Sequence, residues 1–135
     1  MMKHAQLKEM LASNDTRMAL FAAETLRRRD DYAGLPRALE LFKKAGAHRA
    51  RAATVLGGFR EERAVAPLIE ALGDPDRAVR TAAYTSLGRV LRSLFPFKRL
   101  DLATTGYTPD APAAQRTRSA RVISAWWRQN RPQRG

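Results

Sequence analysis

No cysteine occurs among the 135 residues, so disulfide bonds and thiolate metal sites are excluded, and a reducing compartment fits. Histidine is almost as scarce, at two residues. His4 falls in the N-terminal stretch. His48 sits in an inter-helix turn, where a packing or turn role suits it better than that of a base. Neither belongs to a His-Glu pair or shows metal-ligand spacing, so no metal is expected. A run of about 18 apolar residues is also missing, so no membrane-spanning helix is expected. Met1 to Asn14 has no apolar stretch of signal-peptide length, and the expected location is cytoplasmic. Gly-x-Ser-x-Gly and phosphate-loop motifs are absent. Gly57-Gly58 reads as a helix C-cap pair. Asp30-Asp31 and Glu61-Glu62 fall at helix boundaries, where Glu61 and Glu62 complement a helix dipole. No catalytic residue and no cofactor are expected, and enzyme activity is disfavoured.

Acidic residues are few, and they are unevenly placed. The chain has 25 Lys and Arg against 13 Asp and Glu, a net charge of +12. Residues 1–76 hold 13 basic and 11 acidic side chains, while residues 77–135 hold 12 basic and only 2 acidic ones. The two parts therefore carry +2 and +10. A surface that needed only solubility would mix the signs, so the imbalance points to an anionic partner.

What the chain does have is an internal repeat. Leu11, Leu41 and Leu72 are spaced by 30 and 31 residues, and so are Leu26, Leu56 and Leu87, and Ala22, Ala52 and Ala83. Pro36 and Pro67 stand 31 apart, as do Arg49 and Arg80. Several residue types obeying one offset mark a repeat architecture. Each unit reads as two helices. In the third, Val65, Leu68, Ile69 and Leu72 follow the i, i+3, i+4, i+7 spacing of one helical face over Glu62 to Leu72. Gly73-Asp74-Pro75-Asp76 stops that helix, and Asp76 suits the N-cap of the next. Val79, Ala83, Leu87 and Val90 form the apolar face of the second helix. The second unit pairs Leu35 to Ala45 with Arg49 to Phe59. The first pairs Ala5 to Leu11 with Thr16 to Arg29.

The run Ala64-Val65-Ala66-Pro67-Leu68-Ile69-Glu70-Ala71-Leu72, followed by Asp74-Pro75-Asp76, Val79-Arg80, Ala82-Ala83 and Leu87-Gly88, resembles a HEAT repeat of the short bacterial, bilin-lyase-like kind. The resemblance is closest over residues 62–92 and weaker over 35–59 and 5–29. It implies an all-α solenoid of helical hairpins, with Asp74 and Arg80 bracing the turn, and it is specific for fold and nearly silent on function. Bilin lyases share such repeats, so a tetrapyrrole lyase or chaperone is a remote alternative.

Residues 93–115 break the repeat with three prolines and a glycine. Phe95, Phe97, Leu100, Leu102 and Tyr107 argue that this loop packs against the body. A last helix over 113–130 follows, carrying Val122, Ile123, Trp126 and Trp127. It is read as a cap on the array, and the single domain 1–135 comprises repeats at about 5–29, 35–59 and 62–92, the loop and this capping helix. Neighbouring residues on a helix point about 100° apart, so the two tryptophans cannot share one core face, and the outer one is a candidate anchor for a partner.

The expected activity is a non-enzymatic scaffold that binds an acidic protein through a basic surface. The alternative is a nucleic-acid binder gripping phosphates with arginine. Periodicity places Arg51, Thr81, Tyr84, Thr85 and Arg92 on the exposed side of the second helices. The candidate partner-binding residues are Arg51, Tyr84, Arg89, Arg92, Arg118, Arg121, Arg128 and Trp127. Arg121 and Arg128, seven apart, share one face of the last helix, Arg118 lies three residues before Arg121, and Arg134 lies beyond the helix.

Overall fold

The structure is a computed structural model that describes residues 2–44, 46–98 and 100–132. The far end of the expected helix to Ala45, and Arg134, lie outside the described residues. Seven α-helices form among the described residues, with no strand. They are α1 (His4–Met10), α2 (Thr16–Arg28), α3 (Leu35–Lys43), α4 (Arg49–Leu56), α5 (Val65–Glu70), α6 (Arg77–Leu94) and α7 (Ala113–Asn130).

Local chemistry accounts for the helix ends. The Asp15 carboxylate accepts from the backbone N–H of Arg17 at 3.0 Å and so caps α2. Asp76 caps α6 in the same way through Ala78 N–H at 2.8 Å. The helix expected over Glu62 to Leu72 is divided. Glu62–Ala64 and Ala71–Gly73 are 3₁₀ turns flanking α5. Pro67 has no N–H to give the carbonyl of Arg63, so a full α-turn cannot close ahead of α5. α4 stops at Leu56, short of Phe59, where Gly57 lies so close to α6 that a Cβ there would fall 2.5 Å from Ser86 Oγ.

The helices stack in pairs, α1 with α2, α3 with α4, and α5 with α6. α4 lies between α2 and α6, so the second helices form one continuous layer. α7 packs on α5 and on the 3₁₀ turn that follows it, on the side of the first helices. The 31-residue register is what fills the core: Leu26, Leu56 and Leu87 are fully buried, as are Ala22, Ala52 and Ala83. Alanine at those positions lets neighbouring helices approach closely, and each buried leucine contributes roughly 1.5–3 kcal/mol of burial. One core runs from α2 to α7, with a small satellite of Leu7, Ala22 and Leu26 under α1.

α7 closes the array through Ser119, Ile123 and Trp127, which succeed one another at four-residue steps and are buried. Phe95 joins both tryptophans to the body. Its ring lies edge-on to Trp126 at 5.1 Å and to Trp127 at 6.1 Å. The expected loop is shorter than 93–115, because α6 continues to Leu94 and a 3₁₀ turn forms at Leu102–Thr105. Leu102 and Tyr107 are buried in the core as expected, but Phe97 is fully exposed.

Candidate functional site

Two arginines of the repeat are committed to holding it together. Arg80 is buried, and its guanidinium donates to the carbonyl oxygens of Asp74 at 2.9 Å and Pro75 at 3.0 Å. Its Nε reaches forward to the Pro109 carbonyl at 2.9 Å. Arg49, one register earlier, donates to the Phe42 carbonyl at 2.9 Å and pairs with the Asp74 carboxylate of the following unit. Asp74 also accepts from Asp76 N–H at 2.8 Å. Asp74 and Arg80 therefore brace the turn, in the role the resemblance implied. The position thirty residues before Arg49, its counterpart in the first unit, is Ala19, so the ladder begins at Arg49.

A different set of cations faces outward. α4 and α6 bound a groove of about 470 Å³ lined by Arg51, Thr54, Arg77, Thr81, Thr85 and Arg89, with alanines and Ser86 at its base. Steps of three and four residues put Ala78, Thr81, Thr85 and Arg89 on one stripe of α6. Among the described residues, neither Arg51 nor Arg89 makes an ion pair or a side-chain hydrogen bond. Arg77 is engaged at the groove's end, where its Nη2 donates to Asp110 at 2.9 Å. That guanidinium holds the Asp110 carboxyl below the usual carboxylate value, and Asp110 in turn raises Arg77.

Beside the groove lies a second cleft, about 500 Å³, between α6 and the connection that follows it. Tyr84, Gly88, Leu91, Arg92, Leu100 and Leu102 line it, and Thr85 borders both spaces. Arg92 folds back over Gly88: a Cβ built on that glycine would stand 3.2 Å from the Arg92 guanidinium. Tyr84 is half-buried and stacks on Tyr107 with ring centroids 5.2 Å apart.

The structure thus brings Arg51 and Arg89 into one groove and places Tyr84 and Arg92 in the adjoining cleft. It does not bring the α7 residues there. Arg118 and Arg121 are exposed on α7, and Arg128 lines another cleft with Glu62, Arg63 and Arg131. Trp127 is corrected as a surface anchor: it is 7% exposed and belongs to the core, because α7 turns its Ile123 stripe inward. Trp126 is half-covered by Phe95, and the large apolar side chain that α7 exposes is Val122, at 52%. Sequence reasoning left Arg77 out of the groove, although steps of four from Arg89 through Thr85 and Thr81 lead back to it. No helical period could have placed Leu100, Leu102 or Ala103 beside Tyr84, since they lie outside α6. No group of three or more His, Cys, Asp or Glu suited to a metal ion exists among the described residues. No helix of the described residues is long and apolar enough to cross a membrane.

The paired antiparallel helices, the layered stacking and the arginine ladder between units define an α-solenoid. Residues 44–94 match the family model of HEAT repeats, and the all-helical stacking around them agrees with that match. No curated protein and no solved structure matches it. HEAT repeats generally mediate protein interactions or scaffolding, and the family is typically non-enzymatic.

Proposed function

We propose that this chain is a non-catalytic module that holds an acidic segment of a partner protein in the groove between α4 and α6. The observation that carries this reading is the lining of the groove: three arginines and three threonines without a carboxylate, with Arg51 and Arg89 left unpaired among the described residues. Guanidinium groups bind carboxylates in two-pronged geometry, and threonine hydroxyls add adaptable donors. Arg118, Arg121 and Arg128 on α7 supply a second basic face that draws an acidic partner in before it docks. The cytoplasm is the proposed setting, in keeping with the absence of cysteine.

The alternative, a nucleic-acid binder, has less support. Single strands are gripped by aromatic rings stacking on bases between cations. Here Tyr84 is stacked on Tyr107, Trp126 is covered by Phe95, and Trp127 is in the core. Fluorescence anisotropy with a polyglutamate peptide and with duplex DNA separates the two. Arg51→Glu with Arg89→Glu is expected to abolish peptide binding, while Arg118→Glu, Arg121→Glu and Arg128→Glu together slow association. If the groove reversal leaves peptide binding unchanged, the reading fails. If DNA binds more tightly than the peptide at physiological salt, with a log–log salt slope near −0.9 per phosphate contact, the nucleic-acid reading replaces it.

A further inference from the structure

We infer that the cleft beside Gly88 is a specificity pocket for one apolar side chain of the bound acidic segment, so that the partner motif is a run of carboxylates next to a leucine-like anchor. This rests on the groove reading above and adds to it. The cleft adjoins the groove at Thr85, which borders both. Its character differs from the groove's, because Leu91, Leu100 and Leu102 make up much of its wall. Gly88 is what leaves room for it. Any side chain at that position would enter the space that Arg92 now spans.

Charge decides the occupant. Arg92 makes no ion pair or side-chain hydrogen bond among the described residues, so Arg51, Arg89 and Arg92 carry positive charge from the groove to the lip of the cleft. Asp101 also lines the cleft, and its carboxylate accepts from Ala103 N–H at 3.0 Å. A second acidic residue placed there would meet Asp101, whereas an uncharged apolar group would meet leucines. Arg77 and Arg92 lie fifteen residues apart on α6, about 22 Å along the helix, enough for roughly six or seven residues of extended peptide.

The test uses the whole chain and synthetic peptides in which a run of glutamates is followed, or preceded, by a Gly-Ser spacer and one leucine. A matched peptide has glycine in place of the leucine. For the unaltered protein the leucine should tighten binding about ten- to a hundredfold, the worth of burying such a side chain. Gly88→Leu should erase that advantage; since its side chain also pushes Arg92 aside, the leucine peptide is compared with the glycine peptide on the same variant. A Cβ there meets the end of the flexible Arg92 side chain and, at 3.6 Å, Leu102, and leucine favours the helix over glycine; circular dichroism and a thermal melt check that the variant folds. Ala103→Gln, at an exposed position on the rim, should reduce the advantage by itself.

Equal binding of the leucine and glycine peptides overturns the inference while the groove reading stands. An advantage that survives both variants overturns it as well. If a leucine peptide with glutamines in place of glutamates binds as tightly, the acidic motif is wrong. If neither acidic peptide binds, the groove reading fails and the pocket with it. If Gly88→Leu weakens a single-stranded oligonucleotide that outcompetes the peptides, the cleft takes a base and the inference is overturned.

Discussion

The Tyr107 hydroxyl donates to the carbonyl oxygen of Leu72 at 2.7 Å, fastening the segment that departs from the repeat to the end of the third unit's first helix. The bond is buried, and it serves a carbonyl that a helix terminus leaves without an intrahelical partner. Arg80 reaches Pro109 and Arg77 reaches Asp110 nearby, so the connection is held along its length. That anchoring positions Leu100 and Leu102 against α6 and thereby shapes the cleft beside Gly88.

Tyr107→Phe should therefore destabilise the protein by about 0.5–1.5 kcal/mol, as loss of one buried hydrogen bond does. Burial pushes the Tyr107 hydroxyl above its ordinary value of 10.0. A raised folded-state value means that its stabilisation is complete below about pH 10 and is lost as pH rises through the folded-state value. Denaturation of the wild type should thus steepen with alkali more than that of Tyr107→Phe. Parallel curves from about pH 9 to 11 would contradict the buried, protonated hydroxyl.

Leu56→Ala and Leu87→Ala should each cost about 2–5 kcal/mol in chemical denaturation. Both side chains are fully buried, and each stands at the same place in its unit. Neutral effects at both would remove the basis of the 31-residue register.

Gly34→Ala tests the close approach of α2 and α3. A Cβ at Gly34 would fall 2.6 Å from the Cα of Ala23, which is backbone and cannot turn aside. Overpacking should lower stability by about 1–3 kcal/mol, read as a drop in melting temperature. An alanine variant as stable as the wild type would show that the two helices are free to separate.

Removal of residues 113–135 should expose the apolar face that α7 covers on α5. Aggregation or a lower melting temperature is expected, since the terminal units of solenoids shield the last face. Size-exclusion chromatography checks this, and a monomeric truncated chain of unchanged stability would make α7 an appendage.

The paired helices, their order and the bounds of α7 were legible in the sequence because a solenoid's contacts are mostly local. Each hairpin meets only its neighbours, so apolar spacing, caps and one 31-residue offset carry most of the fold. The 3₁₀ turn ahead of α5 followed from Pro67, a residue visible in the sequence but weighed there only as part of the repeat. What the tertiary structure alone decided is which cations are free. Arg49 and Arg51 differ by two positions, as do neighbouring arginines elsewhere, and composition treats them alike. Arg49 is bound because Asp74 comes to it from 25 residues away, and Arg80 because Pro109 comes from 29. Among the described residues, Arg51 and Arg89 meet no such group. Trp126 and Trp127 both meet Phe95, and what separates them is that α7 turns the stripe of Ser119, Ile123 and Trp127 into the core. A hydrogen-bond acceptor or a ring that arrives from the next unit leaves no trace in local periodicity, and on those arrivals depends which side chains remain to meet a partner.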